Sequence, residues 1–171
     1  MNPEQARFLV EHYAGLMGRE HATTLKVLAA VKDDTRDYKP DGKSRSAWDI
    51  ATHIATSDVW FLDSIINGKF DMDEEAGAAQ MSQFKTVADV VAFYEKTFPA
   101  KLAALKQMPD ADMTRNVPFF GVMEMPAVAY LALANNHGIH HRGQLSAYLR
   151  ALGSKVPGIY GPSGDDEQPG A

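Results

Sequence analysis

Four long stretches of the chain repeat apolar residues every three or four positions, the spacing that buries one face of an α-helix. Most of them open on a residue that can cap a helix, and polar or Pro/Gly-rich sequence separates each from the next. The predicted helices run from Asn2 to about Lys32, from Ser46 to Gly68, from Thr86 to Pro109 and from Pro126 to Leu152. With 171 residues and only a short extended piece expected at Val117 to Phe120, one all-α domain is predicted.

The connections between these helices favour a four-helix bundle. The acidic stretch "KFDMDEEAGAAQMSQFK", residues 69–85, is long enough to cross the length of a bundle. The second and third helices can therefore run parallel to each other. We predict that residues 1–153 form the bundle and that residues 154–171 form an irregular tail that packs on it. The end of this tail is expected to be mobile, because "SKVPGIYGPSGDDEQPGA" is rich in Gly and Pro.

Charge and composition exclude several classes of function. The formal net charge is −5, without a basic run, which argues against nucleic acid as a partner. No apolar stretch approaches the ~18 residues that span a bilayer, and the N-terminus lacks the pattern of a signal peptide, so we expect a cytoplasmic protein without a membrane partner. The chain has no cysteine, which excludes disulfides, cysteine nucleophiles and thiolate metal sites.

The segment "NNHGIHHRGQL", residues 135–145, concentrates half of the six histidines within the fourth predicted helix. His137 and His141 are four residues apart and fall on its predicted buried stripe, so both rings project from one face one turn apart. One interpretation is that backbone carbonyls or a hydroxyl satisfy each ring. The other is a shared metal ion, because two histidines at this spacing form the ligand pair of several zinc helices.

A third ligand has to come from another helix, and His53 in "WDIATHIATSDVWF" is the leading candidate. His140 points about 100° away from His141 around the helix axis, so we interpret it as a packing or supporting residue rather than a ligand. His12 and His21 are nine residues apart, which places them on opposite faces of the first helix. We expect each of these two to be exposed or to lie on the flank of that helix.

Other catalytic patterns are missing from the sequence. A carboxylate-bridged di-iron site in a bundle needs Glu-x-x-His repeats, and the chain contains none. It also has no G-x-S-x-G nucleophile motif, no P-loop and no dinucleotide-binding glycine pattern. The histidines are therefore the strongest functional signal.

Five residues near the histidines have both a functional and an ordinary interpretation. Arg142 can bind an anionic group of a substrate, or it can form a surface ion pair at the rim of the bundle. Gln144 and Asn136 can orient metal ligands through hydrogen bonds, or they can simply bond between helices. Trp60 and Tyr160 can form the wall of a pocket, although aromatic packing is the ordinary role for both.

Three segments together resemble the DinB family of the DinB/YfiT-like superfamily. They are "SAWDIATHIATSDVWFLDSI", "NNHGIHHRGQLSAYLRALG" and "KVPGIYGP", and the likeness covers nearly the whole chain in the right order. The resemblance implies a four-helix bundle with an up-down-down-up order, and a homodimer. It also implies a divalent metal ion, zinc or nickel, bound by three histidines, which here are His53, His137 and His141.

The resemblance implies metal-dependent chemistry without fixing the reaction. Relatives resemble hydrolases, or transferases and isomerases that use small thiols such as bacillithiol or mycothiol, so a small-molecule substrate is expected. Arg142 and Gln144 are the residues that we expect to support such catalysis. A second hypothesis is a non-catalytic protein that binds or senses a small molecule, and a third is a metal that only holds two helices together.

Overall fold

A computed structural model describes residues 1–166, and its architecture is mostly helical, with 64% of the residues in helices. The elements are α1 (Pro3–Ala29), α2 (Ala47–Asn67), α3 (Glu74–Ser82), α4 (Val87–Lys106), α5 (Asp110–Thr114), β1 (Asn116–Phe119), β2 (Met123–Pro126), a 3-10 turn (Ala127–Ala129) and α6 (Tyr130–Ala151). Antiparallel pairing of β1 with β2 forms a small two-stranded sheet. The prediction of an all-α fold class is confirmed, since helices dominate and the sheet is small.

Local sequence explains where the long helices begin. Ser46 and Asp49 form a reciprocal capping box at the start of α2, in which each side chain accepts a hydrogen bond from the other residue's backbone N–H. Equivalent boxes start α1 at Asn2 and α4 at Thr86. Gly68 ends α2 at φ +67°, a left-handed conformation that favours glycine. The predicted starts of these helices are confirmed to within one residue.

The four long helices pack pairwise around one core. Helix α1 contacts α4 and α6, and α2 contacts the same two helices. Two aromatic contacts fix the relative direction of α2 and α6. The Tyr38 ring, before α2, meets Tyr148 near the end of α6, whereas Phe70, after α2, meets Tyr130 at the start of α6. These two helices are therefore antiparallel, and the up-down-down-up order of all four stays a prediction.

Several boundaries differ from those predicted. Helix α1 ends at Ala29 rather than near Lys32, and α6 begins at Tyr130, after a 3-10 turn that follows Pro126. The expected extended piece is a hairpin whose turn places Phe120 at φ +48° and Gly121 at φ +71°. The connection between the second and third long helices contains a helix, α3. It was not predicted because none of its residues is buried, so it shows no amphipathic pattern.

The tail after α6 is irregular as far as residue 166. Ser154 is buried, and the hydroxyl of Tyr160 donates a hydrogen bond to Glu20 of α1. The division into residues 1–153 and 154–171 stays a prediction, and the expected mobile end includes residues 167–171, which lie outside the described part. Among residues 1–166, no helix is both long and apolar enough to cross a bilayer.

Candidate metal centre

The structure brings His53, His137 and His141 together in the groove between α2 and α6. One ring nitrogen from each of the three lies within 4.8 Å of the other two. The Nε2 atoms of His53 and His137 are 3.1 Å apart. The His141 ring centroid lies 4.6 Å from each of the other two. These are the residues predicted as a ligand set, and no other group of three candidate ligands is found in residues 1–166.

The antiparallel packing of α2 and α6 explains how the cluster forms. His137 and His141 stack one turn apart on α6, and His53 projects from the second turn of α2 toward both. Phe61, two turns further along α2, supports the His137 ring at a centroid distance of 5.2 Å. Each imidazole is therefore held by a helix rather than by a loop.

The environment keeps the imidazoles neutral. Burial, together with the positive charge of Arg45, lowers the pKa of His53 to about 4, and burial is the larger cause. Burial likewise lowers the pKa of His137 to about 4, with a further contribution from His141. The pKa of His141 is lowered by burial as well. At pH 7 all three rings therefore carry an unprotonated nitrogen, which is the form that ligates a metal.

The spacing fits the donor geometry of a metal such as zinc. Two nitrogens bound to zinc at about 2.0–2.1 Å in a tetrahedral arrangement lie about 3.3 Å apart. The 3.1 Å between the Nε2 atoms of His53 and His137 is close to that value. A single hydrogen bond could join one pair of rings, but a cation can accept lone pairs from all three. The residues present therefore fit a divalent metal with nitrogen ligands.

Two side chains hold the outer nitrogens of the rings. The Nδ1–H of His141 can donate to Oε1 of Gln144 at 3.1 Å, which leaves Nε2 with its lone pair directed at the cluster. Nδ1 of His137 lies 3.5 Å from the hydroxyl of Ser57, which itself donates to the His53 carbonyl. Gln144 thus contacts His141, and its role in orienting a metal ligand stays a prediction. The contact of Ser57 with His137 was not predicted, and the only local signal for it is that Ser57 follows His53 by one turn of α2.

The other nearby candidates lie outside the cluster. His140 is exposed, and its ring stands 4.9 Å from His141 without contributing a candidate ligand atom. Asn136 is exposed as well. Trp60 donates its indole N–H to the carbonyl of Asp71 and packs on Phe61, so it touches the site only through that second ring.

The prediction of an exposed or flanking position is wrong for His21. This residue is buried, and its ring stacks on Phe98 while Nε2 lies 3.2 Å from the carbonyl oxygen of Tyr94. Burial lowers the pKa of His21, so the neutral ring donates one hydrogen bond to that carbonyl. His12, in contrast, is exposed and packs on Phe8, as expected.

The surface position expected for Arg142 is also wrong. Its side chain is only 1% exposed and pairs with the Glu20 carboxylate at 2.5 Å. The guanidinium also donates to the hydroxyls of Thr24 and Tyr160, both away from the histidines. Arg142 lies on a buried stripe of α6 that also contains Asn135 and Leu145, whereas His137 and His141 on the neighbouring face are only half-buried. The structure therefore buries the Arg142 guanidinium, where it pairs with Glu20 and the exposed Tyr160, away from the histidine site.

Sequence comparisons assign the chain to a family. The model of the DinB family matches residues 6–170, nearly the whole chain. The chain belongs to the DinB family. It is 26% identical to the uncharacterized protein YrdA of Bacillus subtilis over 158 residues, covering 92% of this chain and 91% of YrdA. It is 28% identical to YjoA of the same organism over 152 residues, covering 87% and 92%.

Solved structures give the same assignment for the fold. The DinB-like protein YjoA from Bacillus subtilis superposes with a TM-score of 0.65 at 26% identity, covering 88% of this chain and 96% of that one. A DinB-like protein from Bacillus cereus superposes with a TM-score of 0.72, also at 26% identity, covering 88% and 97%. The resemblance carried by the histidine motifs is thus confirmed along the length of the chain.

Proposed function

We propose that this DinB-family protein is a metal-dependent enzyme whose divalent metal ion is bound by His53, His137 and His141. The observation that carries the proposal is the convergence of three neutral imidazoles, with ring nitrogens within 4.8 Å, in a half-exposed groove. Zinc and nickel are the metals favoured by an all-nitrogen donor set. Such an ion acts as a Lewis acid, lowering the pKa of a coordinated water or thiol so that hydrolysis or thiol transfer can proceed at neutral pH.

The number of ligands favours catalysis over a purely structural metal. Structural zinc sites are usually closed by four protein ligands, whereas catalytic sites keep a position open. Within residues 1–166, the cluster offers three candidate ligands, and all three rings are partly exposed. A small molecule can therefore reach the side of the cluster that faces solvent. The second hypothesis, a non-catalytic protein that binds or senses a small molecule, shares this open position.

The electrostatics of the groove favour an anionic substrate. Arg45 is exposed just before α2, and its charge acts on all three imidazoles. It forms no salt bridge with another of the residues 1–166. Three neutral ligands also leave the full charge of a divalent ion in place. We propose that Arg45 takes the role in binding an anionic group that the sequence had suggested for Arg142.

Replacing the native ion with cobalt tests the open position. Azide or a small thiol is expected to change the visible spectrum of the cobalt protein, because each can bind at the open coordination position. Arg45→Gln should weaken azide binding roughly fivefold, the equivalent of ~1 kcal/mol, without lowering metal content. Arg19→Gln, at another exposed arginine, is the matched control and should bind azide like the unaltered protein.

Turnover assays separate the possible reactions. Small thiols with electrophilic acceptors, assayed beside esters and amides, distinguish a thiol transferase from a hydrolase. A cobalt spectrum that no added ligand changes, with no metal-dependent turnover in either panel, would favour a structural metal. Turnover that survives complete removal of the metal would contradict the proposal.

The oligomeric state remains part of the proposal. The family resemblance implies a homodimer, which sedimentation at micromolar concentration can establish. A monomer under those conditions would remove that expectation without affecting the metal site, because all three histidines come from one chain.

A further inference from the structure

A small cavity lies between the four long helices, on a different face of α6 from His137 and His141. Its volume is about 10 Å³, and α1, α2, α4 and α6 all contribute to its wall. Three buried side-chain atoms have no hydrogen-bond partner within residues 1–166: Oδ1 of Asp58, Oδ1 of Asn135 and Nε of Arg142. All three residues line this one cavity.

Three residues with an unpaired buried atom around one cavity indicate a ligand. Buried polar atoms are almost always paired, and the exceptions require an explanation, because leaving such an atom unpaired is costly. The side chains of Asp58, Asn135 and Arg142 are 5%, 8% and 1% exposed, so bulk solvent does not satisfy them. They come from two different helices, and one small ligand between them can pair with all three.

We propose that the cavity binds one ordered water molecule that bridges Asp58, Asn135 and Arg142. Water offers two donors and can accept the N–H of Arg142, while it donates to the two oxygens. If Asp58 is protonated on Oδ1, the water accepts from both Asp58 and Arg142 and donates to Asn135. Water therefore satisfies the three atoms in either protonation state of the carboxyl group.

Size and charge argue against other ligands. A cavity of this volume corresponds to about one water-sized sphere, so it has no room for a second heavy-atom group. A cation would lie against the Arg142 guanidinium. An anion such as chloride would face two acceptor oxygens, those of Asp58 and Asn135. A neutral molecule with both donors and an acceptor is the ligand that matches this cavity.

The water would complete a buried polar cluster that joins the four long helices. Tyr94 of α4 donates to Oδ2 of Asp58 at 2.7 Å, and Arg142 pairs with Glu20 of α1. The water links these two pairs and ties α6 to α2. Because the same turns of α6 present His137 and His141, the water would help to fix how α6 is rotated relative to His53.

The absence of a side chain at Gly138 leaves room beside Asp58 in the wall of the cavity. A Cβ at Gly138 would lie 3.0 Å from Oδ1 of Asp58, the oxygen that has no hydrogen-bond partner within residues 1–166. Gly143, elsewhere on α6, is an exposed position where an added Cβ meets nothing within 4 Å. Both Gly138→Ala and Gly143→Ala therefore add one methyl group. In Gly138→Ala this group lies beside the cavity, and in Gly143→Ala it lies at the surface.

A high-resolution crystal structure of the full chain tests the proposal directly. We expect one isolated solvent peak within hydrogen-bond distance of all three atoms. The proposal is overturned if these atoms pair with protein groups instead, or if the peak has the anomalous signal of chloride.

Oxygen-17 relaxation dispersion, which counts long-lived internal waters, provides a test in solution. We expect Gly138→Ala to have one long-lived water fewer than the unaltered protein, and Gly143→Ala to have the same number. If Gly138→Ala does not fold, Asn135→Leu, which removes one acceptor, replaces it. An equal number of long-lived waters in all the folded variants would contradict the proposal.

Discussion

Neighbouring positions of α6 contribute to two polar clusters that differ in how their polar atoms are paired. His137 and His141 meet His53 in a half-exposed groove, where three groups of one chemical type face each other. Arg142, the next residue, is buried and pairs with a carboxylate and two hydroxyls, so donors and acceptors alternate around it. The buried cluster pairs most of its polar atoms internally, whereas the histidine cluster presents three lone pairs to one point.

The difference separates a structural role from a functional one. Polar groups that complement each other stabilise the fold and leave little for a ligand to bind. Like groups that converge gain little from each other, and they need an external cation to satisfy them together. The histidine cluster is therefore expected to determine activity, and the buried cluster to determine stability.

The largest expected effect is a loss of stability on changing Arg142. In Arg142→Met the carboxylate of Glu20 loses its partner inside the protein, which is expected to cost about 3–5 kcal/mol. In His141→Ala only a half-exposed ring is lost, and the metal-free protein should lose less than about 1 kcal/mol. Urea unfolding of both variants without metal measures the two free energies. Equal losses in these adjacent variants would remove the distinction between the two clusters.

The two clusters should also respond to pH with opposite signs. Folding lowers the pKa of His53 and His137 from 6.5 to about 4, so between these values the unfolded chain binds more protons. Their contribution to stability is thus complete above pH 6.5 and is lost as the pH falls toward 4. Burial raises the pKa of Asp58 from 3.8 to about 7, so the folded state binds more protons there. Its contribution is present below pH 3.8 and is lost as the pH rises through 7.

Unfolding free energies of the metal-free protein between pH 4 and 8 test these opposite signs. In Asp58→Asn the opposing contribution is absent, so stability should fall more steeply on acidification than in the unaltered protein. In the double variant His53→Ala, His137→Ala the fall should be shallower. The assignment of the two signs fails if both variants keep the slope of the unaltered protein.

Within the buried cluster, the smallest effect is expected at its edge. The Tyr160 hydroxyl accepts from Arg142 at 2.7 Å and donates to Glu20 at 3.0 Å, but the residue is 71% exposed. Tyr160→Phe should therefore cost about 1 kcal/mol in urea unfolding, because water can replace part of the lost pairing. Metal content should not change. A loss as large as that of Arg142→Met would mean that the tail, rather than Glu20, satisfies the guanidinium.

Local patterns in the sequence were enough to predict the long helices and the histidine cluster. A capping box involves residues three positions apart, so "SAWD" and "TVAD" reveal where α2 and α4 begin without knowledge of the fold. The spacing of His137 and His141 likewise fixes their shared direction. The family resemblance and one lone histidine in α2 supplied the third member of the cluster.

What the sequence did not predict depends on contacts between distant segments. Arg142 is buried because Glu20, 122 residues away, and Tyr160, 18 residues away in the tail, reach its guanidinium. A signal was present in the spacing of Asn135, Gly138, Arg142 and Leu145, which alternates steps of three and four residues along one buried stripe. The charge of Arg142 suggested a surface position instead. Helix α3 was missed because an exposed helix has no apolar pattern to detect.

Calorimetric titration of the metal-stripped protein with zinc or nickel measures metal binding by the three histidines. We expect one ion per chain, with affinity lost in the double variant His137→Ala, His141→Ala and retained in His140→Ala, the exposed neighbour. His53→Ala should weaken binding as well, because its Nε2 lies 3.1 Å from that of His137. Binding of one ion per chain with unchanged affinity in the double variant, or no binding to the unaltered protein, would contradict the three-histidine site.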